Sequence, residues 1–156
     1  MVNIRLGKIE DLEQLKDYDW AWNGQDEIRK DYIKKIYEGK QTFLVLEDSG
    51  VVVGEFHIMW VDEDIDQANG KDRAYFSTFR IHPDYRGQGW GSRMKDTAVD
   101  MVKKRDFKEI YIGAYIDEEP TQKMYQRWGF DKEIKRSVER LPGLKEREYI
   151  LFLKNL

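Results

Sequence analysis

The sequence predicts an α+β fold in which helices flank a mixed, mostly antiparallel central sheet. Segments with strand-like alternation and segments with helical periodicity follow one another in the order β-α-α-β-β-β-α-β-α-β-β. Strands that follow each other directly indicate antiparallel hairpins, whereas strand–helix–strand units require crossover connections. The chain has 156 residues, which is the usual length of one domain, so we expect residues 1–156 to form a single domain.

The first half of the chain combines one strand, two helices and a hairpin. The second helix has apolar residues at helical spacing, with Asp26 as its expected N-cap and Gly39 near its end. Asp48-Ser49-Gly50 separates two apolar runs, which indicates a hairpin. The predicted elements are strand 3–8, helix 11–18, helix 26–37, and strands 42–47 and 51–61.

The second half of the chain alternates strands with helices and ends in two strands. A polar loop, 62–73, precedes an aromatic-rich strand that His82-Pro83 ends. Gly129 follows the last helix and suits its C-terminus. The predicted elements are strand 74–81, helix 89–104, strand 109–115, helix 118–128, and strands 130–141 and 146–153.

Composition excludes several classes of function. The chain has no cysteine, which excludes disulfides, thiolate metal sites and cysteine nucleophiles. Its two histidines lack a metal-ligand spacing, so no metal site is expected. Lys and Arg number 27 against 30 Asp and Glu, a net charge of −3 that gives no overall basic bias for nucleic acid.

Neither a membrane nor a secretory route is expected from the sequence. No apolar run approaches the ~20 residues that a membrane-spanning helix needs. The first fifteen residues, MVNIRLGKIEDLEQL, are charged and lack the apolar region of a signal peptide. We therefore expect a cytoplasmic protein without a membrane partner.

A glycine-rich loop between a predicted strand and a predicted helix is the most informative segment. It runs from Phe79 to Ser92 and contains Gly87, Gly89 and Gly91. Backbone N–H groups at a helix N-terminus, together with the helix dipole, form an anion site. Arg86 adds a positive charge beside it. A phosphate or pyrophosphate is the ligand that this arrangement favours.

This loop resembles the R/Q-x-x-G-x-G/A signature of the GNAT family of N-acetyltransferases, with Arg86, Gly89 and Gly91 at the fixed positions. Further along, Met124–Phe130 is similar to the family's Y-x-x-x-G-F segment. The resemblance implies a GNAT-like acyl-CoA N-acyltransferase fold and an acetyl-CoA-dependent enzyme. It also implies that acetyl-CoA is the co-substrate and that a primary amine attacks it directly in a ternary complex.

The resemblance also implies where the cofactor would lie. Main-chain N–H groups of the loop would hold its pyrophosphate, and the end of the preceding strand would pair with the amide-rich pantetheine arm. A splay between this strand and strand 109–115 would admit the cofactor. Glu118 stands near the place where the family often has Asn. The implied cofactor contacts are Phe79, Arg80, Ile81, Arg86, Gly87, Gln88, Gly89, Trp90, Gly91 and Ser92.

The transfer needs an acid and a route for the amine proton. An alkyl amine with a pKa near 10 is mostly protonated at pH 7, and the departing thiolate must be protonated. The resemblance implies that Tyr125 is the acid; the alternative is a packing role. Glu55 is our candidate base because it is a charge on an apolar strand, the alternative being a carboxylate facing water. The other candidates for the base are the side chains of His57, Asp62 and His82. A further candidate is a water molecule held by Ser77.

The acceptor is expected to be a small cationic amine, such as a polyamine or an aminoglycoside-like molecule. In the family's fold, the loop that mixes tryptophans with carboxylates lies beside the acceptor site, and acidic residues recur at 62–66. The candidate acceptor contacts are Trp20, Trp22, Asp26 and Asp62. The alternatives are tryptophans packed in the core with solvated acids, a protein or peptide amine as acceptor, and a non-catalytic acyl-CoA-binding sensor. Tyr149 and Phe152 could form a homodimer or pack internally.

Overall fold

The computed structural model describes residues 1–64 and 66–156, and Ile65, within the acidic stretch 62–66, lies outside the described residues. The predicted order of elements is confirmed. The elements are β1 (Val2–Leu6), α1 (Ile9–Leu15), α2 (Asp26–Tyr37), β2 (Gln41–Asp48), β3 (Val51–Met59), β4 (Arg73–Ile81), a 3₁₀ turn (Pro83–Tyr85), α3 (Trp90–Lys104), β5 (Glu109–Tyr115), α4 (Glu119–Arg127), β6 (Lys132–Glu139) and β7 (Arg147–Asn155).

The strands form one seven-stranded sheet in the order β1-β2-β3-β4-β5-β7-β6. Of the strand pairs in the described chain, β4–β5 alone is parallel, and α3 provides the crossover between these strands. The other neighbours pair antiparallel, and two of these pairs, β2–β3 and β6–β7, are hairpins joined by short connections. The prediction of a mixed, mostly antiparallel sheet flanked by helices is confirmed.

The hairpin between β2 and β3 turns at Ser49 and Gly50. Their φ angles of 51° and 87° are those of a type I′ turn, which matches the twist of the flanking strands. The side chains of β2 alternate between the two faces of the sheet: Leu44 and Leu46 belong to one apolar cluster, Phe43 and Val45 to another. Burial on both faces explains why this strand is apolar without a polar alternation.

Two apolar clusters therefore hold helices on opposite faces of the sheet. Helices α3 and α4 pack in one cluster, through residues such as Met94, Val102 and Tyr125. Helices α1 and α2 pack in the other, through residues such as Leu12 and Ile28.

The start of α2 differs from the prediction. Its N-cap is Gln25, and Asp26 is the first helical residue, with its carboxylate 3.8 Å from Arg29 Nη2. A carboxylate in the first helical turn is still favoured by the helix dipole. Gly39, with a φ of 74°, follows the helix end as expected. Among the described residues, no helix has both the length and the apolar composition that crossing a membrane requires.

The aromatic side chains of β7 pack inside the chain. Tyr149 is 8% exposed and Phe152 is 3% exposed. Of the two roles considered for them, internal packing is therefore the one that their positions support, and a homodimer would need another surface.

Gly7 is expected to tolerate no side chain. Its N–H donates to the Phe43 carbonyl over 2.7 Å, and a Cβ at this position would overlap the Phe43 ring. That ring cannot retreat easily, because it is 1% exposed and stacks on His57 with centroids 4.7 Å apart. We expect Gly7→Ala to lower the free energy of unfolding by about 1–3 kcal/mol. Denaturant unfolding measures this change, with the exposed neighbour Leu6→Ala as control at about 0.5 kcal/mol or less. Equal effects of the two substitutions would contradict the packing described.

Candidate functional site

Strands β4 and β5 separate halfway along their length. They pair from Arg73 and Glu109 as far as Phe76 and Ile112, and no further pairs join them. At the same point the register between β3 and β4 shifts, so that Ser77 and Thr78 lie opposite one residue of β3. Such a bulge bends its strand and re-aims side chains. The splay that the family resemblance implied is present in the structure.

A cleft of about 1450 Å³ occupies the gap between the separated strands. Residues 77–81 and 113–115 form its walls within the sheet, the loop before α3 closes one end, and α2 lies at the other. Beyond Phe76, the β5-facing edge of β4 has no strand partner, so its backbone can bind an extended, amide-rich ligand.

The glycine-rich loop gathers unpaired backbone donors at the start of α3. Among the described residues, none of the backbone amides from 87 to 92 donates to a protein acceptor. Gly87 and Gly89 have φ angles of 73° and 86°, and both line the cleft. Gly91 lies so close to Phe79 that a Cβ would stand 2.8 Å from the ring. The arrangement is an anion-binding nest joined to a helix N-terminus.

Some side chains of the glycine-rich loop line the cleft, and others do not. Arg86 lines the cleft and donates from Nε to the Ile81 carbonyl over 2.8 Å, which holds its charge beside the nest. Ser92 lines the cleft and accepts a bond from Trp128 Nε1. The side chains of Gln88 and Trp90 are elsewhere: Gln88 donates to the Asp84 carbonyl, and Trp90 packs against the core. The backbone amides of these two residues still belong to the unpaired set from 87 to 92.

Arg80 is in the cleft lining, as expected for the end of β4, and its side chain makes a separate set of contacts. Its guanidinium turns toward the loop between α1 and α2, where it donates to the Ala21 carbonyl and to Gln25 Oε1. It also lies 4.5 Å from the centre of the Trp22 ring. Phe79 and Ile81, its neighbours on β4, line the cleft as expected.

Tyr125 lies on the cleft wall with its ring mostly covered. It is 8% exposed, and its ring is 5.6 Å from that of Trp128. Its hydroxyl makes no hydrogen bond to the described residues, although the residue lines the cleft. Burial, and to a lesser degree the charge of Glu118, raises the pKa of the Tyr125 phenol well above its usual value. The ring therefore packs, and burial favours the protonated form of the hydroxyl.

Glu118 is the N-cap residue of α4 and also lines the cleft. Arg147 lies beside it, with Nη2 3.4 Å from Glu118 Oε1 and 2.9 Å from Asp117 Oδ1. Part of the negative charge near Tyr125 is thus balanced by Arg147. Gln122, which the sequence did not single out, donates to the Tyr115 carbonyl over 2.8 Å and satisfies the end of β5.

Glu55 is fully buried, so a carboxylate facing water, one of the two alternatives, is wrong. Its Oε1 accepts from Trp22 Nε1 over 2.9 Å and from His57 Nε2 over 2.6 Å. Gln41 in turn donates to His57 Nδ1 over 2.8 Å. Glu55 does not line the cleft, so its position does not favour direct contact with an acceptor amine.

Two of the four predicted acceptor residues line the cleft, and the other two do not. Trp20 and Asp62 line the cleft, whereas Trp22 is buried beneath the loop and Asp26 points to solvent outside the lining. Trp22 is hidden because its indole bonds to Glu55 inside the second apolar cluster. Further carboxylates that the sequence analysis did not select complete the acceptor end. They are Glu27, Asp31, Glu63 and Asp64.

The charge at the acceptor end is predominantly negative. The cations at this end are Lys35, which lies 3.0 Å from Asp31 and 3.5 Å from Asp62, and Arg80, which reaches the loop that holds Trp20. Glu27 lines the same region and forms no ion pair with the described residues. Tyr32 adds a hydroxyl that shares a 2.7 Å hydrogen bond with Thr78. A cation entering here would meet several carboxylates and an aromatic side chain, Trp20.

Comparison with known proteins gives a consistent result. A sequence model described as the Acetyltransferase (GNAT) family matches residues 9–130. A Bacillus subtilis (strain 168) protein named as the candidate [ribosomal protein bS18]-alanine N-acetyltransferase is 22% identical over 127 residues, covering 81% of this chain and 78% of its own.

Two solved structures have the same fold. An N-acetyltransferase from Staphylococcus aureus Mu50 superimposes with a TM-score of 0.75 at 15% identity, covering 99% of this chain and 98% of that one. A GNAT family acetyltransferase from Elizabethkingia anophelis, solved with acetyl-CoA bound, gives 0.71 at 13% identity, covering 99% and 98%. At these identities the similarity establishes the shared architecture.

Proposed function

This chain belongs to the Acetyltransferase (GNAT) family, and from that premise we propose that it moves an acetyl group from acetyl-CoA to a small cationic primary amine. One observation carries the proposal. The unpaired amides of residues 87–92 lie at the mouth of the gap between β4 and β5, so a site for an anion adjoins a site for an extended arm. Acetyl-CoA has both parts in that order.

The cofactor would bind through the backbone more than through side chains. Its pyrophosphate would accept from the amides of 87–92, with Arg86 adding charge. Its pantetheine arm would run along the free edge of β4, from Ile81 towards Ser77. The thioester would then lie between the strands, near Tyr125. The Elizabethkingia anophelis relative, solved with acetyl-CoA, supports this choice of ligand.

Transfer would proceed by direct attack. The neutral amine nitrogen bonds to the thioester carbon, and the carbonyl oxygen of the tetrahedral intermediate takes the negative charge, which a backbone N–H at the thioester end of the free β4 edge stabilises. The C–S bond then breaks, and the sulfur takes the phenolic proton of Tyr125. The nitrogen releases its surplus proton to water in the open cleft, and Tyr125 is reprotonated from solvent. The chain has no cysteine that could form an acyl-enzyme instead.

The acceptor class follows from the charge of the far end of the cleft. Glu27, Asp31, Asp62, Glu63 and Asp64 line it, against Lys35 and Arg80. Carboxylates on cleft walls attract cations and raise their local concentration. A polyamine or an aminoglycoside-like molecule offers one amine for transfer and further ammonium groups for these carboxylates.

The Glu27→Gln variant should raise KM for a polyamine about three- to tenfold, with KM for acetyl-CoA unchanged. The reason is the loss of one lining charge, and exposed charge interactions contribute roughly 0.2–1 kcal/mol, or somewhat more in a cleft. Initial rates with spermidine at low salt measure this effect. The control is Asp26→Asn, which removes the neighbouring carboxylate outside the lining. Equal responses of the two variants would contradict the assignment of Glu27.

A peptide amine is the second candidate acceptor, because the Bacillus subtilis relative is named for acetylating a protein's alanine. An acceptor panel separates the two. Spermidine, an aminoglycoside and a neutral peptide with N-terminal alanine are compared by kcat/KM under the same conditions. The polycations are expected to be the better substrates by about tenfold or more, and a clear preference for the peptide would replace the cationic proposal with the second candidate.

A further inference from the structure

Arg80 connects strands β3 and β4 of the sheet with the loop that joins α1 and α2. On β4 it lies opposite Glu55 of β3, and its Nη1 is 3.9 Å from Glu55 Oε2. Its other contacts are all to the loop: the Ala21 carbonyl, Gln25 Oε1 at 2.6 Å, and the face of Trp22. The proposed transfer has no step for this guanidinium, although Arg80 is among the residues that line the cleft.

The environment of Glu55 favours a cation next to its second carboxylate oxygen, Oε2. Trp22 and His57 both donate to Oε1, whereas the buried Oε2 accepts no hydrogen bond among the described residues. Arg80 is therefore the nearby cation for this oxygen. Because a buried carboxylate is costly without a partner, the pair favours one position of the guanidinium.

The base of this arrangement is rigid. His57 accepts from Gln41, stacks on Phe43 with an interplanar angle of 4°, and lies 4.9 Å from the Tyr32 ring. These contacts fix the imidazole, and the imidazole fixes Glu55. Arg80 thus lies next to the fully buried pair Glu55 and His57, while its Nη1 and Nη2 atoms reach the loop between α1 and α2.

The loop that Arg80 grasps forms one wall of the acceptor end. Trp20 and Gln25 line the cleft, and both lie within 17–25. This segment contains turns and no regular helix or strand, so its position depends on specific contacts. Arg80 bonds to its backbone and to its last side chain, on either side of Trp22.

We propose that Arg80 is a positioning residue that holds loop 17–25 in place as the acceptor wall, and that Glu55 acts through Arg80 and not as the base. This inference rests on the proposed amine acetylation. It differs from a catalytic role for Glu55 in what it predicts: acceptor binding should change, while the chemical step and the binding of acetyl-CoA should not.

The test uses Arg80→Lys in the full chain. Lysine keeps the charge but loses the planar fork that reaches two acceptors. We expect KM for spermidine to rise roughly tenfold, corresponding to about 1.4 kcal/mol, with kcat and KM for acetyl-CoA within about twofold. Amide hydrogen exchange in 21–25 should be faster in the protein without substrate. Arg136→Lys, an exposed pair with Glu133 on β6, is the control and should change neither quantity.

Glu55→Gln gives the decisive comparison. We expect a rise in KM for spermidine in the same direction, and less than additive effects in the double variant with Arg80→Lys. A fall in kcat with KM unchanged, together with loss of the acidic limb of the pH–rate profile, would make Glu55 the base and overturn the proposal. Gln25→Ala tests the same contact if Glu55→Gln does not fold.

Exchange measurements keep this inference separate from the proposed function. If no amine is acetylated by the wild type, the proposed function fails, and the exchange of 21–25 in Arg80→Lys still reports on the loop. Unchanged exchange and unchanged KM in Arg80→Lys would overturn the positioning role, even in an active acetyltransferase.

Discussion

The Gly89→Glu variant should fold and yet bind acetyl-CoA at least about 100-fold more weakly. Gly89 is the N-cap of α3, among the amides that we assign to the pyrophosphate. A carboxylate about 4 Å from a phosphate charge costs about 4 kcal/mol at an effective dielectric constant of 20, roughly a thousandfold in affinity. Calorimetric titration with acetyl-CoA measures the loss.

Two variants separate charge from backbone strain. Gly89 has a φ of 86°, and no atom lies within 4 Å of the position that a Cβ would take. The Gly89→Ala variant therefore has the same backbone strain as Gly89→Glu but no added charge. It should bind acetyl-CoA nearly as tightly as the wild type. Gly50→Glu introduces the same side chain at a φ of 87° in the β2–β3 turn, away from the nest, and should bind normally. Affinity retained in Gly89→Glu would show that the pyrophosphate lies elsewhere.

The Tyr125→Phe variant should lose about 100-fold or more in kcat, because general acid catalysis contributes typically 10²–10⁴-fold. KM for acetyl-CoA should stay near the wild-type value, since the ring and its packing on Trp128 are retained. Steady-state rates with saturating amine measure the change. Tyr37→Phe, which removes a hydroxyl from a tyrosine that is 76% exposed on α2, is the control. Wild-type kcat in Tyr125→Phe would mean that water protonates the thiolate.

The raised pKa of Tyr125 sets the pH dependence of this effect. Burial favours the neutral phenol, so the acid form persists as pH rises past 10, where an ordinary tyrosine would ionise. The wild-type advantage over Tyr125→Phe should therefore be constant between about pH 7 and 10. A decline of that advantage below pH 9 would contradict the burial of the phenol.

The order of elements was predictable because each signal is local. The hairpin at Ser49 and Gly50, the limits of α2 and the strand that precedes the glycine-rich loop all follow from short patterns. The N-cap residue of α2 was not predictable. Gln25 and Asp26 are adjacent, and the conformation of the preceding loop decides which of the two becomes the N-cap. The splay depends on a bulge where Ser77 and Thr78 oppose His57, and no pattern in β4 alone specifies it.

The site was predictable in part for a similar reason. The nest lies within one continuous segment, so its glycines and Arg86 could be read together. Glu55 stood out as a charge on an apolar strand, but its partner Trp22 is 33 positions away and could not be inferred. For the same reason Trp22 was expected at the acceptor site, and the contacts of the Arg80 guanidinium with the loop between α1 and α2 were not expected, because spacing does not reveal long-range hydrogen bonds.

The most direct test of amine acetylation follows both products of the reaction. Purified protein is mixed with acetyl-CoA and spermidine; the free thiol of CoA and the acetylated amine are quantified together over time. We predict that thiol release depends on the amine, equals the acetylated amine one to one, and falls about 100-fold in Tyr125→Phe. Binding of acetyl-CoA without acetylation of spermidine, an aminoglycoside or an alanine peptide would contradict the account and favour a non-catalytic acyl-CoA-binding protein.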